Sequence, residues 1–145
     1  MSRRLSWMLV VLQTVLAAVL FLTLPWQSMT VWHWTAVVLG ALLLIWAVLT
    51  MRLRYVSVLP ELRANARLVA NGPYRWLRHP MYSALALSSV ATIVPDLFSW
   101  RTVVWIALMF VLDTKARREE AALHARFPDY GEFCRTRWRW IPFLY

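Results

Sequence analysis

The chain alternates long apolar stretches with short polar ones. No charged residue lies between Arg4 and Arg52, and a membrane-spanning helix takes roughly 20 mostly apolar residues. That interval predicts two spans joined by a turn, Leu5 to Leu24 and Val31 to Met51. From Arg52 to His79 the pattern changes to a polar loop, with repeated arginines, Glu61, Pro60 and the turn sequence Asn71-Gly72-Pro73. Gly admits positive φ there, and Pro removes a donor and restricts its predecessor. The next apolar run, Met81 to Val94, rises only about 21 Å as a helix, short of a hydrocarbon core of about 30 Å. It either starts earlier, with Trp76 and Leu77, continues past Pro95, or sits in a thinned or shielded place. A fourth run, Phe98 to Leu112, leads into Asp113 to Phe127, whose Ala116, Glu119, Glu120, Ala121, Ala122 and Leu123 favour helix. One long helix leaving the membrane is expected, ended by Pro128.

Composition strengthens the membrane reading. The chain is 61% hydrophobic and 16% charged, with mean hydropathy +0.52, outside the usual range of soluble domains. The first apolar run is too long for a signal peptide and lacks a small-residue cleavage site. Net charge is +9, and the basic residues are segregated. Arg3 and Arg4 precede the first run; Arg52, Arg54, Arg63, Arg67, Arg75 and Arg78 follow the second; Lys115, Arg117, Arg118, Arg126, Arg135, Arg137 and Arg139 follow the fourth; only Arg101 is left over. Because cytoplasmic flanks collect Lys and Arg, a multi-pass protein of the inner, cytoplasmic membrane is expected. Both termini and the central loop lie inside, and the turns near Gln27 and Asp96 outside. The basicity is then a matter of topology, with the lipid bilayer and not nucleic acid as the partner; each basic residue near an anionic surface contributes about 1 kcal/mol.

The expected fold is an all-α membrane protein with four transmembrane helices as two hairpins. The cytoplasmic loop and C-terminal helix and tail form a cofactor pocket. It is one domain, 1–145, divided into a first hairpin (1–51), a loop (52–80), a second hairpin (81–114) and a cytoplasmic helix and tail (115–145). Trp26, Trp32 and Trp34 mark an interface belt, with His33 among them. Gln13 and Thr14 are expected to be helix-packing contacts. Cys134, the lone cysteine, has no disulfide partner.

Two segments carry concentrated chemistry. Gly72 to Tyr82 offers two cations, an imidazole and two phenols; topology anchors and a binding role both account for them. Glu119 and Glu120, at the end of a membrane helix, do nothing for orientation. Lys115 shares a helix face with Glu119, which suits either a solvated ion pair or a carboxylate meeting a ligand. With glycines only at 40, 72 and 131, no Gly-rich Rossmann loop is present. Scattered His33, His79 and His124 and a single cysteine predict no metal site.

The order Gly72-Pro73-Tyr74, His79-Pro80-Met81-Tyr82, Glu119-Glu120 with Leu123 and Phe127, and Arg139-Trp140-Ile141-Pro142 resembles the isoprenylcysteine carboxyl methyltransferase and phospholipid methyltransferase superfamily, from Leu68 to Pro142. The resemblance implies a membrane methyltransferase that holds S-adenosylmethionine at the cytoplasmic surface and acts on a small lipophilic or lipid-linked acceptor. It places the cofactor on Leu68, Val69, Tyr74, His79, Pro80, Met81, Tyr82 and Glu119. Arg78, His79 and Glu120 are its candidates at the reacting centre, with Arg78 suited to a methionine carboxylate. Lys115 and Arg139 are its candidates for the acceptor. Two departures stand out. Lys115 replaces a family arginine, keeping charge but losing the bidentate fork, and Phe127 to Tyr130 is one residue shorter than the usual spacing. Methyl transfer needs alignment and water exclusion; an amine acceptor would also need a base such as His79, Glu119 or Glu120. An NADPH-dependent reductase related to sterol reductases and a non-catalytic membrane subunit are the alternatives.

Overall fold

The structure, a computed structural model, describes residues 3–51 and 68–141. Among them are five α-helices and no β-strand: α1 (Arg3–Leu22), α2 (Val31–Met51), α3 (Pro80–Val90), α4 (Trp100–Arg126) and α5 (Tyr130–Arg135). The first part of the expected loop, 52–67, lies outside the described residues, as does Pro142.

The first two apolar runs form helices as expected. α2 has the expected ends, and α1 stops at Leu22 because Pro25 excludes helical geometry just beyond it and a short turn, Trp26–Ser28, follows. Arg4–Leu22 and Val31–Met51 are long and apolar enough to cross a membrane, and only 11% of each is buried inside the fold. Their outer faces carry Val11, Val15, Val38, Leu42 and Leu49, all exposed, a continuous apolar surface of the kind that membrane contact requires.

The third run differs from the two suggested extensions. Trp76 and Leu77 stay outside the helix, and Ala91 to Pro95 are turns, so α3 rises only about 16 Å. It is shielded instead, packing chiefly on α2. Gly40 makes this approach: a Cβ there would run into the Ser88 hydroxyl and the Ala84 carbonyl. Small residues serve this purpose in apolar surroundings, where backbone proximity replaces hydrophobic drive. Neither α3 nor α4 meets the length and hydropathy standard of the first two helices.

The fourth run is one unbroken helix, α4, from its apolar residues into the charged segment, as expected. It packs mainly on α1, while contacts of α3 with α1 and α4 are lighter. The principal pairs, α2 with α3 and α1 with α4, therefore cross between the two hairpins of the chain. Leu20, Ile93, Leu108 and Leu112 make the buried apolar cluster, with Leu16, Trp105 and Met109 against it. The polar end of α4 continues past this cluster toward the start of α3.

Candidate active site

Gly72 sets the entry to α3. Its φ is 56°, a region open to glycine at little steric cost, and a Cβ there would strike the Thr50 side chain at the end of α2. The chain turns through Gly72–Arg75 and then pairs with the C-terminal tail. Trp138 N–H donates to the Trp76 carbonyl at 3.0 Å, Arg78 N–H to the Trp138 carbonyl at 2.9 Å and His79 N–H to the Arg139 carbonyl at 3.0 Å. Pro80 opens α3, where its missing N–H has no helical role. Ser83 fastens the tail further by donating to the Trp140 carbonyl at 2.6 Å, and Arg137 donates from Nε to the Tyr74 carbonyl at 3.0 Å.

This pairing brings His79 against α4. Glu119 and Glu120 are adjacent, so their side chains leave the helix about 100° apart, and the imidazole fills the angle between them. His79 Nδ1 is 3.5 Å from Glu119 Oε2, and Nε2 is 3.0 Å from Glu120 Oε1. Glu120 Oε1 also takes Arg78 Nη1 at 3.1 Å and Arg139 Nε at 3.2 Å. Arg139 is 6% exposed and reaches on to Asp113 Oδ1, 2.9 Å away. Glu119 is held differently: Tyr82 donates its hydroxyl to Oε2 at 3.2 Å, and Oε1 has no hydrogen-bond partner among the described residues. The Tyr82 ring stacks on His79, centroids 5.3 Å apart, and carries Lys115 Nζ over its face at 5.5 Å.

The electrostatics follow from this geometry. Burial opposes charging of His79, but the hydrogen bonds and charges of Glu119 and Glu120 outweigh it and raise its pKa. With an acceptor at each nitrogen, the doubly protonated imidazolium is the form that satisfies both contacts. Burial likewise opposes the charge of both glutamates. His79 with Tyr82 and Lys115 holds Glu119 below the ordinary carboxyl range, and His79 with Arg139 and Arg78 does the same for Glu120.

Of the residues singled out from the sequence, Arg78, His79, Tyr82, Glu119, Glu120, Lys115 and Arg139 come together. Pro80 is buried as the first residue of α3, and Met81 is half-buried beside it. Tyr74 is buried, but its hydroxyl points to Met51 Sδ at 3.8 Å and not to the carboxylates. Leu68 and Val69 are half-buried in the segment before the turn. Sequence reasoning missed Asp113 and Gln13. Asp113 precedes Glu120 by two helical turns on one face, a spacing that calls for a bridging cation, here Arg139. Gln13 Oε1 accepts from Lys115 Nζ at 2.5 Å; it is an amide in an uncharged span, and its partner lies far off in sequence. Thr14, paired with it in the sequence reading, bonds its own helix at Val10.

A profile of the isoprenylcysteine carboxyl methyltransferase (ICMT) family matches residues 31–125. The matched segment takes in α2, α3 and most of α4, with His79, Tyr82, Lys115, Glu119 and Glu120. It ends before the tail that pairs with them. Neither the curated proteins nor the solved structures yield a match. The matched segment covers most of the chain, and the buried histidine it contains sits between two of its glutamates: the chain belongs to the isoprenylcysteine carboxyl methyltransferase family.

Proposed function

We propose that this membrane methyltransferase uses S-adenosylmethionine and transfers its methyl group to an already anionic, lipophilic acceptor at the cytoplasmic face. The observation that carries the cofactor assignment is the contrast between the two glutamates. Glu120 is saturated by three cationic groups on one oxygen. Glu119 keeps Oε1 available and its side chain is 29% exposed, an acceptor to which a ribose hydroxyl or an ammonium would donate. Arg78 spends Nη1 on Glu120 and Nε on the Arg137 carbonyl, leaving Nη2 for a carboxylate. The residues present thus fit the cofactor.

When bound, S-adenosylmethionine supplies an electrophilic methyl carbon on a sulfonium. The chain's part is to align the acceptor and exclude water. An imidazolium held between two ionised carboxylates is a poor proton acceptor, and carboxylates held below their ordinary range are poor ones too. That argues for an acceptor needing no deprotonation, a carboxylate or thiolate, over a phospholipid amine. Lys115 and Arg139 are assigned to the acceptor side, Lys115 directly and Arg139 through Glu120 and Asp113. The segregated Lys and Arg support cytoplasmic termini and a multi-pass arrangement in the inner membrane, in which α3 and α4 complete a four-helix body.

Calorimetry with purified protein in detergent tests the reading. Glu119→Ala and His79→Ala should each weaken S-adenosylmethionine about 10- to 100-fold, the range for a lost hydrogen bond to a charged group, and NADPH should not compete. Label from methyl-tritiated cofactor should enter N-acetyl-S-farnesylcysteine and not phosphatidylethanolamine. Folded wild-type protein that binds no cofactor would overturn the assignment.

A further inference from the structure

We propose that Gln13 of α1 is a positioning residue for the methyl acceptor, its side-chain oxygen fixing the Lys115 ammonium between α1 and the Tyr82 ring. The inference rests on the methyl-transfer reading of the site and adds a residue outside the family match, which begins at residue 31.

Lys115 is only 3% exposed, and a buried ammonium needs partners for three N–H donors. One donor meets Gln13 Oε1 at 2.5 Å and the charge faces the Tyr82 ring, whose centroid is 5.5 Å from Nζ. No other acceptor meets Lys115 among the described residues. Glu119, one turn along α4, forms no ion pair with it, although the i, i+4 spacing would allow one. The ammonium is therefore turned away from the carboxylate and toward α1, and the turning group is Gln13. Four flexible methylene groups give lysine a wide choice of rotamers, so an arginine's planar fork would need less such help.

α1 is suited to this task. Gln13 lies ten residues from Arg3, about 15 Å along the helix, in a segment where an amide has few partners. A second rung runs parallel to it: Arg118 Nη2 donates to Ser6 Oγ at 3.0 Å. Ser6 and Gln13 are two turns apart on α1, and Lys115 and Arg118 one turn apart on α4, so both contacts lie along one seam. Two donors of Lys115 then remain for an anion entering beside Tyr82, a hydrogen-bond pair that would orient the acceptor for transfer.

The test compares wild type, Gln13→Leu, Lys115→Met and the double variant in detergent, with methyl-tritiated S-adenosylmethionine and N-acetyl-S-farnesylcysteine as probes. Leucine fills the space and suits the membrane, and a thermal melt checks that the fold is retained. Gln13→Leu should raise KM for the farnesylcysteine probe about tenfold with cofactor affinity unchanged within twofold. In the Lys115→Met background it should add nothing. Unchanged KM in Gln13→Leu, a lowered melting temperature as its only effect, or a full additional loss on top of Lys115→Met would each overturn the proposal. Wild type that binds no cofactor or moves no label would overturn the methyltransferase reading itself, and this inference with it, before any variant is compared.

Discussion

The outer surfaces of α1 and α2 and the cluster around His79 are held by opposite means. Along α2, Val38, Leu42 and Leu49 turn outward, and Thr35 and Thr50 bond only their own helix. Around His79, three stretches separated in sequence are tied by charge and hydrogen bonds: the motif loop with the start of α3, α4, and the tail. The first region asks of each residue only that it be apolar and roughly the right size, and tolerates exchange. The second asks for particular atoms at particular distances. The proposed site lies where the tolerance is least.

The sharpest way to break this contrast is Glu120→Ala. It strips Arg78, His79 and the buried Arg139 of a shared oxygen, and removing one partner of a buried ion pair costs about 3 to 5 kcal/mol. Denaturation in detergent should show a loss of that size, with cofactor binding abolished. Gly40→Leu comes next, because even a Cβ meets Ser88 and Ala84. Overpacking at such a contact costs about 1 to 3 kcal/mol, measurable as a lower melting temperature and a separated α2 and α3.

A smaller effect comes from pH. His79 is raised, so its contribution is fully present below the unfolded value of about 6.5 and is lost as pH rises through the higher folded value. Glu119 and Glu120 are lowered, so theirs is present above the unfolded value of about 4.3 and is lost as pH falls through the folded values. Melting temperature should therefore peak between about 4.3 and 6.5 on account of this cluster, and His79→Gln should remove its share of the alkaline fall. Smallest of all is Val38→Leu, half-exposed on α2, which should move stability by less than about 0.5 kcal/mol.

The same division governs what was legible in the chain. α2, the unbroken α4 and the stop before Pro128 follow from hydropathy and proline chemistry, both local. The meeting of His79 with Glu119 and Glu120 was accessible only through order and spacing that resemble a family. The shortness of α3 was visible as a deficit, but its remedy, shielding by α2 through Gly40, depends on a tertiary contact that periodicity does not carry. The two glutamates are chemically identical and adjacent. Their different partners, Arg78 and Arg139 for Glu120 and Tyr82 for Glu119, come from distant segments, so no local pattern distinguishes them. From sequence Gln13 looks like a packing residue, because its partner lies on a helix reached only after two further apolar segments.

The pairing of Trp138 and Arg139 with Trp76 to His79 bears on how the protein is made. Residues of the tail leave the ribosome after all five helices, so the histidine and both glutamates are inserted before the strand of backbone that aligns them exists. A nascent chain stalled at residue 130 would contain the whole family-matched segment and still lack an assembled site. Whatever the proposed site does would begin only when translation has passed the tail, since an unfinished copy lacks the backbone pairing that assembles it.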